Sequence, residues 1–187
     1  MAGTVAILGA GAWGTALAVM LARDAHPVTL CVRRRDHLDE IRTARENRTY
    51  LPGIAIPPGV ELSAEWGSAA AACDVIVMAV PSRFARAAIS AIAGSIRRDA
   101  IIVSATKGIE ENSLKTMTAM LAETAPNARA YAALSGPGFA SEVARGKPAA
   151  LVAASADDAA AHAIQNLFAA KTLRLYRSAD VTGVELS

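Results

Sequence analysis

The stretch that decides the fold is Gly9-Ala10-Gly11-Ala12-Trp13-Gly14. It follows an apolar run at residues 4–8 and leads directly into a second apolar segment. A G-x-G-x-x-G sequence in this position predicts a strand, a tight glycine turn and a helix whose N-terminus receives the phosphates of a dinucleotide. Gly9 permits the turn, Gly11 allows a pyrophosphate to approach the backbone, and Gly14 allows the helix to pack on the strand.

Composition narrows the class of protein. The 187 residues fit one large domain, or one domain and the start of another. The chain is 53% hydrophobic but only 4% aromatic, which predicts small residues packing helices closely onto a sheet. The net charge is +2, and no basic block with interleaved aromatic residues occurs, so nucleic acid is not an expected partner.

The cysteines and the N-terminal sequence indicate where the protein resides. Cys31 and Cys73 lie in or beside apolar segments without a C-x-x-C motif, which predicts buried thiols in a reducing compartment. No positively charged segment precedes the first apolar run, and the glycine turn interrupts that run. No run reaches the roughly 18–20 apolar residues of a membrane span. We expect a cytoplasmic protein.

The rest of the chain alternates between strand and helix patterns. This alternation predicts an α/β fold, a Rossmann-like, doubly wound and mostly parallel sheet with helices on both faces. Asp36 and Ser82 are expected as helix N-caps, and Leu38 and Ile41 are expected to face inward. The expected strands are 28–32, a short edge strand within 54–62, 75–80, 100–104, 130–134, 148–153 and 172–176, and the expected helices are 36–50, 68–72, 83–93, 113–125, a short one through 143, and 157–170.

Three arginines, Arg33-Arg34-Arg35, follow the second strand. An NAD-preferring site commonly places an Asp or Glu there, about twenty residues past the glycines. A guanidinium can instead accept a 2′-phosphate, so NADP is favoured, and Arg33 and Arg34 are nearest to the strand end. The alternative is a solvated basic strand end, and Asp36 leaves the use of NAD open.

Three further segments follow buried strands and are expected at the carboxyl edge of the sheet, where ligands bind in such folds. Pro81 lies in the first and Lys107 in the second. The Lys107 ammonium could polarise a ketone oxygen or hold a phosphate, or it could simply be solvated. Residues 135–138 could present backbone N–H groups or form a plain turn. Glu142 could complement the dipole of the following helix.

The three histidines, His26, His37 and His162, have no partner at metal-ligand spacing, so no metal site is predicted and all three are expected at the surface. The sequence also lacks a G-x-S-x-G motif and a Cys/His pair, which argues against hydrolysis.

Taken together, these segments resemble the NAD(P)-dependent glycerol-3-phosphate dehydrogenases. The resemblance covers nearly the whole chain, with matching order and spacing. Besides the glycine turn, it is carried by Tyr50-Leu51-Pro52-Gly53, Val80-Pro81-Ser82, Ala105-Thr106-Lys107-Gly108-Ile109-Glu110, Leu134-Ser135-Gly136-Pro137-Gly138-Phe139-Ala140 with Glu142-Val143, and Gly183-Val184-Glu185-Leu186.

The resemblance implies reduction of dihydroxyacetone phosphate to sn-glycerol 3-phosphate with NADPH or NADH, a reaction that feeds glycerophospholipid synthesis. It implies that Lys107 contacts both coenzyme and substrate and orients the carbonyl, while Gly136 and Gly138 help to hold the substrate. With the glycine motif included, the implied coenzyme contacts are Gly9, Gly11, Ala12, Trp13, Gly14, Arg33, Arg34, Pro81, Lys107 and Ala140.

Two departures from the family pattern matter. Gly138 stands where the family usually has serine, which leaves only backbone contacts there. The sequence ends at Ser187, before the family's general acid/base lysine and its helical domain with a phosphate-binding arginine. We therefore expect residues 1–179 to form a dinucleotide-binding domain and 180–187 to begin a connecting helix, with incomplete activity in isolation. The face that the helical domain would cover could support a homodimer.

Two alternatives remain open at this stage. One is a related 3-hydroxyacid, 6-phosphogluconate or ketopantoate-type dehydrogenase, and the other is a redox sensor that binds dinucleotide without catalysis.

Overall fold

The computed structural model describes residues 3–187. Strands and helices alternate along almost all of this range, as expected from the sequence pattern. The elements are β1 (Val5–Leu8), α1 (Ala12–Arg23), β2 (Val28–Cys31), α2 (Arg35–Ala44), β3 (Val60–Ser63), α3 (Trp66–Ala72), β4 (Val75–Met78), α4 (Ser82–Ser90), β5 (Ile101–Ser104), α5 (Met117–Thr124), β6 (Ala130–Ser135), α6 (Ala140–Ala144), β7 (Ala149–Ala154), α7 (Asp158–Phe168), β8 (Leu173–Ser178) and α8 (Val181–Leu186).

The eight strands form one sheet in the order β3-β2-β1-β4-β5-β6-β7-β8. Neighbours from β3 to β6 are parallel, β7 runs antiparallel to β6, and β8 is parallel to β7. The expectation of a doubly wound, mostly parallel sheet is confirmed, and β3, the strand expected at an edge, lies at one edge while β8 lies at the other. The strand order reverses between β1 and β4, and in such sheets the crevice beyond that point binds ligands.

The core lies on both faces of the sheet. Every residue of β1, β4 and β5 is buried, as expected of central parallel strands. Because side chains alternate along a strand, Val5 and Ile7 pack on the side of α1, whereas Ala6 and Leu8 pack on the side of α3, α4 and α5. The strand ends around the switch point are therefore rigidly placed.

Several helix starts differ from the expected ones, and those of α2, α4 and α5 bear on the site. Helix α2 begins at Arg35 with Arg34 as N-cap, so Asp36 lies in the first turn, where a negative charge is still favourable. Helix α4 begins at Ser82, with Pro81 as N-cap and no side-chain cap within residues 3–187. Helix α5 begins only at Met117, because residues 110–116 form a turn in which Glu110 N–H donates to the Lys115 carbonyl (2.9 Å).

Other expectations about burial are confirmed. Leu38 and Ile41 are buried on the inner face of α2. Cys31 and Cys73 are free and buried, and burial raises the pKa of Cys31 to about 12. Within residues 3–187, no helix combines the length and apolar character that a membrane crossing requires.

Candidate functional site

A cleft of about 710 Å³ opens at the carboxyl ends of β1, β2 and β4, directly over the switch point of the sheet. This volume lies within the usual range for small-molecule sites. The turn residues Gly9 and Gly11, the strand-end residues Arg33 and Arg34, and Pro81 all line it. The structure thus brings together three segments that lie far apart in sequence.

The three motif glycines meet different steric demands. Gly9 has φ +114°, and a Cβ there would lie 2.7 Å from the Ala79 carbonyl oxygen. A Cβ on Gly14 would overlap the Gly9 carbonyl oxygen, so this glycine allows α1 to pack on the turn. A Cβ on Gly11 would meet no atom within 4 Å in the described part of the chain. Folding therefore requires Gly9 and Gly14, whereas the open space beside Gly11 is left for something outside the chain.

The N-terminus of α1 suits an anion. Gly11 is its N-cap, no side chain within residues 3–187 caps the helix, and no acidic residue lies in its first turn. The first N–H groups of a helix have no intrahelical partner and carry partial positive charge. A phosphate that approaches Gly11 would find donors and a favourable potential.

The arginines after β2 divide into two groups. Arg33 and Arg34 line the cleft, and the Arg33 guanidinium lies 5.6 Å from the centroid of the Phe84 ring. Arg34 Nε lies 3.4 Å from Asp36 Oδ1. Arg35 instead pairs with Glu65 (2.9 Å) at a separate surface groove. The two arginines favoured by the sequence are thus the two that face the cleft.

His37 corrects the expectation that all three histidines lie at the surface. It is only 5% exposed, its ring borders the cleft, and its Nε2 lies 3.1 Å from Asn47 Oδ1. The reason is helical spacing, since residue 37 lies four positions before the buried Ile41 and beside the buried Leu38. That spacing was the signal that the sequence interpretation overlooked.

Three side chains of the cleft were missed altogether. Arg83 and Phe84 lie in the first turn of α4, and the Arg83 guanidinium lies 4.8 Å from the Phe84 ring centroid. Trp66 also lines the cleft, and its buried Nε1 has no hydrogen-bond partner within residues 3–187. Ala87, Ala88 and Ala91 also line the cleft. Together with Phe84 they have the i, i+3, i+4, i+7 spacing of one helix face, and this spacing could have identified the face of α4 that borders the cleft.

A second, smaller cavity of about 80 Å³ lies at the same edge, beyond β5 and β6. Lys107, Gly136, Gly138 and Trp13 line it together. Lys107 is exposed and has no hydrogen bond or ion pair with any described residue. Ser104, also missed, is buried in this wall, and its Oγ likewise lacks a partner there. A ligand in this cavity would meet the Lys107 ammonium and the unpaired Ser104 hydroxyl, and the Glu185 carboxylate, which is bonded to Thr118, also lines the cavity.

The two glycines of this cavity differ in their surroundings. Gly136 has φ +140°, and a Cβ would lie 2.9 Å from the Ala150 carbonyl oxygen. At Gly138 a Cβ would meet the tip of Trp13 at 3.4 Å, which is close to ordinary contact. Gly136 is therefore required by the backbone, whereas a serine at position 138 would need only a small shift.

Three residues of the expected coenzyme site line neither cavity. Ala12 and Gly14 lie in the first turn of α1, and Ala140 is the first residue of α6, which packs against α1. Glu142 lies in the first turn of α6, as expected, and pairs with Lys147 at 3.2 Å.

A cleft over the switch point, an uncapped helix start and strand-end arginines define a dinucleotide-binding domain of the Rossmann class. The particular family follows from comparison of the sequence. The family model for the NAD-dependent glycerol-3-phosphate dehydrogenase N-terminus matches residues 4–161, and the chain belongs to that family. The resemblance found in the motifs is confirmed.

Individual relatives agree with this assignment. The chain is 44% identical over 183 residues to a glycerol-3-phosphate dehydrogenase [NAD(P)+] of Bradyrhizobium sp. strain ORS 278, covering 98% of this chain and 55% of the relative. It is 40% identical over 188 residues to that of Geobacter sp. strain M21, covering 100% and 56%. The crystal structure of glycerol-3-phosphate dehydrogenase from Coxiella burnetii superposes with a TM-score of 0.92 at 31% identity, covering 98% and 56%. The chain thus spans about half the length of these relatives.

Proposed function

We propose that this chain is the coenzyme-binding part of a glycerol-3-phosphate dehydrogenase and binds NADPH, and less tightly NADH. The observation that carries the proposal is the cleft over the switch point. The uncapped N-terminus of α1 borders this cleft at Gly11, where no described atom would lie within 4 Å of an added Cβ. Its volume, its backbone donors and its two arginines fit the diphosphate and the adenosine end of a dinucleotide.

Different residues of the cleft would contact different parts of the coenzyme. The turn at Gly9 and Gly11, with the first turn of α1 from Ala12 to Gly14, would hold the diphosphate. Arg33 and Arg34 would receive a 2′-phosphate, and Pro81 would border the same part of the cleft. Trp13, Lys107 and Ala140 would face the nicotinamide end.

The chemistry would take place at the smaller cavity. When bound, the coenzyme supplies the hydride that reduces the carbonyl of dihydroxyacetone phosphate to sn-glycerol 3-phosphate. The Lys107 ammonium, which has no partner within the described chain, would hold the carbonyl oxygen and orient it. Backbone groups at Gly136 and Gly138 would hold the rest of the substrate. Because proton transfer also needs a positioned acid, residues 1–187 alone should turn over substrate poorly.

Fluorescence titration with NADPH and NADH tests coenzyme binding. We expect wild-type protein to bind both, and Gly11→Ala to keep the wild-type circular dichroism and melting temperature while losing at least about tenfold in affinity. The matched control is Gly59→Ala, because a Cβ at residue 59 also meets no atom within 4 Å in the described chain. Absence of binding to wild-type protein at millimolar coenzyme would refute the proposal.

Coenzyme choice has its own test. The double variant Arg33→Ser/Arg34→Ser should lose NADPH affinity while keeping NADH affinity, so that the ratio of the two changes by about tenfold or more. Arg35→Ser is the matched control, since Arg35 pairs with Glu65 at a separate surface groove. An unchanged ratio in the double variant would assign selectivity to other residues.

Catalysis can be tested in the full-length gene product. Lys107→Met should lower kcat for dihydroxyacetone phosphate by at least about a hundredfold, as is typical when a group that stabilises the transition-state oxyanion is lost. A sensor that binds coenzyme without catalysis would show no such activity to lose, and a related dehydrogenase would prefer a different ketone or hydroxyacid.

The wider setting is part of the same proposal. The reaction would feed glycerophospholipid synthesis in the cytoplasm, without a nucleic-acid partner. Residues 1–179 would form the coenzyme domain and residues 180–187 the start of the connection to the substrate domain, and the enzyme would be a homodimer. Light scattering on the full-length protein would give its mass directly.

A further inference from the structure

Asn47, in the loop between α2 and β3, is fully buried, and its side-chain amide is completely hydrogen-bonded. Its Nδ2 donates to the Ala10 carbonyl oxygen (2.9 Å) and to Thr15 Oγ1 (2.8 Å). Its Oδ1 accepts from Tyr50 N–H (3.2 Å) and lies 3.1 Å from His37 Nε2. Because both amide hydrogens are used on oxygen acceptors, Oδ1 is the acceptor in the contact with His37, and His37 Nε2–H is the donor.

The two acceptors of Asn47 lie on either side of the helix start. Ala10 precedes the first N–H groups of α1, and Thr15 follows them. In a planar trans peptide the C=O and N–H bonds point in opposite directions, so the bond that holds the Ala10 carbonyl also fixes the direction of the Gly11 N–H. The buried side-chain amide of Asn47 therefore sets the orientation of the Ala10–Gly11 peptide plane at the N-terminus of α1.

The other partners of Asn47 connect it to the cleft wall. His37 is held by its bond to Asn47, and its ring meets that of Tyr50 edge to face with 5.3 Å between centroids. Both rings line the cleft. The network thus joins α1, α2 and the loop at Tyr50 at the place where the turn must be rigid.

We propose that Asn47 is a positioning residue for coenzyme binding, one that holds the glycine turn in its phosphate-binding conformation before the ligand arrives. This inference rests on the proposed function. Without Asn47 the Ala10–Gly11 peptide could rotate, and the binding-competent orientation would be only a fraction of the ensemble. The apparent affinity falls by that fraction, although Asn47 itself does not line the cleft.

The test is Asn47→Asp, which keeps the shape and an acceptor oxygen but removes both donors and places a carboxylate oxygen against the Ala10 carbonyl. Asn166→Asp, on the exposed face of α7, is the matched control. Binding is measured at 10 °C with protein shown to be folded by circular dichroism. We expect the Kd for NADPH and for NADH to rise at least about tenfold in Asn47→Asp, with their ratio unchanged, because both share the diphosphate.

A spectroscopic signature separates positioning from general loosening. In ¹⁵N–¹H spectra without ligand, the Gly11 amide signal should move in Asn47→Asp, while the signals of Gly136 and Gly138 stay in place. Equal affinities in folded Asn47→Asp and wild type would overturn the inference alone, whereas failure of wild type to bind either coenzyme would refute the proposed function itself.

A variant that does not fold still decides the question. If Asn47→Asp is unfolded, Asn47→Ser, which leaves room for a water at the amide site, is measured in the same way with the same expectation. If neither variant folds at 10 °C, the inference is overturned, because Asn47 would then determine the fold rather than the binding conformation.

Discussion

Arg86 and Glu110 form a two-pronged ion pair, with Nε 2.6 Å from Oε1 and Nη2 2.7 Å from Oε2. Glu110 is only 8% exposed and comes three residues after Lys107 in the same loop. The same guanidinium donates to Thr124 Oγ1 on α5 at 3.2 Å. Arg86 therefore ties α4, the Lys107 loop and α5 together, and such bidentate charge-assisted bonds fix geometry as well as energy.

Loss of this guanidinium should loosen the Lys107 loop. Arg86→Met keeps much of the aliphatic length but leaves the Glu110 carboxylate without its partner, so we expect the melting temperature to fall by several degrees. Trypsin should also cleave after Lys107 more rapidly, which mass spectrometry can follow. Arg97→Met is the control, because its partners Asp99 and Asp74 are both exposed, with 67% and 47% of their side-chain surface accessible, and such pairs contribute little. Unchanged cleavage in Arg86→Met would show that the loop is held by other contacts.

The same pair gives a pH dependence of defined sign. Hydrogen bonds from Arg86 and then Ser113 lower the pKa of Glu110 from 4.5 to about 2. A lowered pKa in the folded state means that the stabilisation is complete above pH 4.5 and is lost as the pH falls towards 2. The difference in unfolding free energy between wild type and Glu110→Gln, from urea titrations, should therefore be constant from pH 7 to 5 and shrink below about pH 4.5. A difference that grows on acidification would contradict this assignment.

The sequence predicted the sheet well because its signals are local. Continuous apolar runs such as residues 75–80 are typical of strands buried on both faces, and Gly14 is required by its contact with the Gly9 carbonyl oxygen within the same turn and helix. The helix starts were predicted less well. The late start of α5 depends on the turn after Glu110, which is held by Arg86 from another helix.

The cleft was predicted only where a motif marked it. Arg33, Arg34 and Pro81 were expected there, whereas His37 in its wall and the buried Asn47 behind that wall were not expected to contribute. Their significance depends on a long-range fact, that the loop after α2 returns to the carbonyl of Ala10. In the sequence, a buried polar residue such as Asn47 cannot be distinguished from a solvent-exposed loop residue, because its hydrogen-bond partners are far apart along the chain.

The two thiols should be inert in the folded protein. Burial raises the pKa of Cys31 to about 12 and also raises that of Cys73, and the thiolate is the reactive form. At pH 8 we expect no rapid reaction with a disulfide reagent such as Ellman's reagent in native protein, and reaction of both thiols in guanidinium chloride. One equivalent of fast reaction without denaturant would show that Cys31 or Cys73 is accessible through local opening.

The two glycines of the Lys107 cavity should respond differently to the same change. Gly136 directly follows β6, where the chain passes close to the backbone of β7, and an added Cβ would lie 3.0 Å from Leu151 Cα and 2.9 Å from the Ala150 carbonyl oxygen. With φ at +140° as well, Gly136→Ala should lower the unfolding free energy by about 1–3 kcal/mol.

Gly138→Ala should cost less than about 1 kcal/mol, because its Cβ would make near-ordinary contacts with Trp13 and Leu151 at 3.4 and 3.5 Å. Urea unfolding of both variants measures the difference. Gly138→Ser, which introduces the residue usual in the family, should fold as well as Gly138→Ala and add a hydroxyl beside Lys107. Equal destabilisation by Gly136→Ala and Gly138→Ala would mean that the antiparallel β6–β7 pairing, rather than the positive φ of Gly136, determines which side chains this loop tolerates.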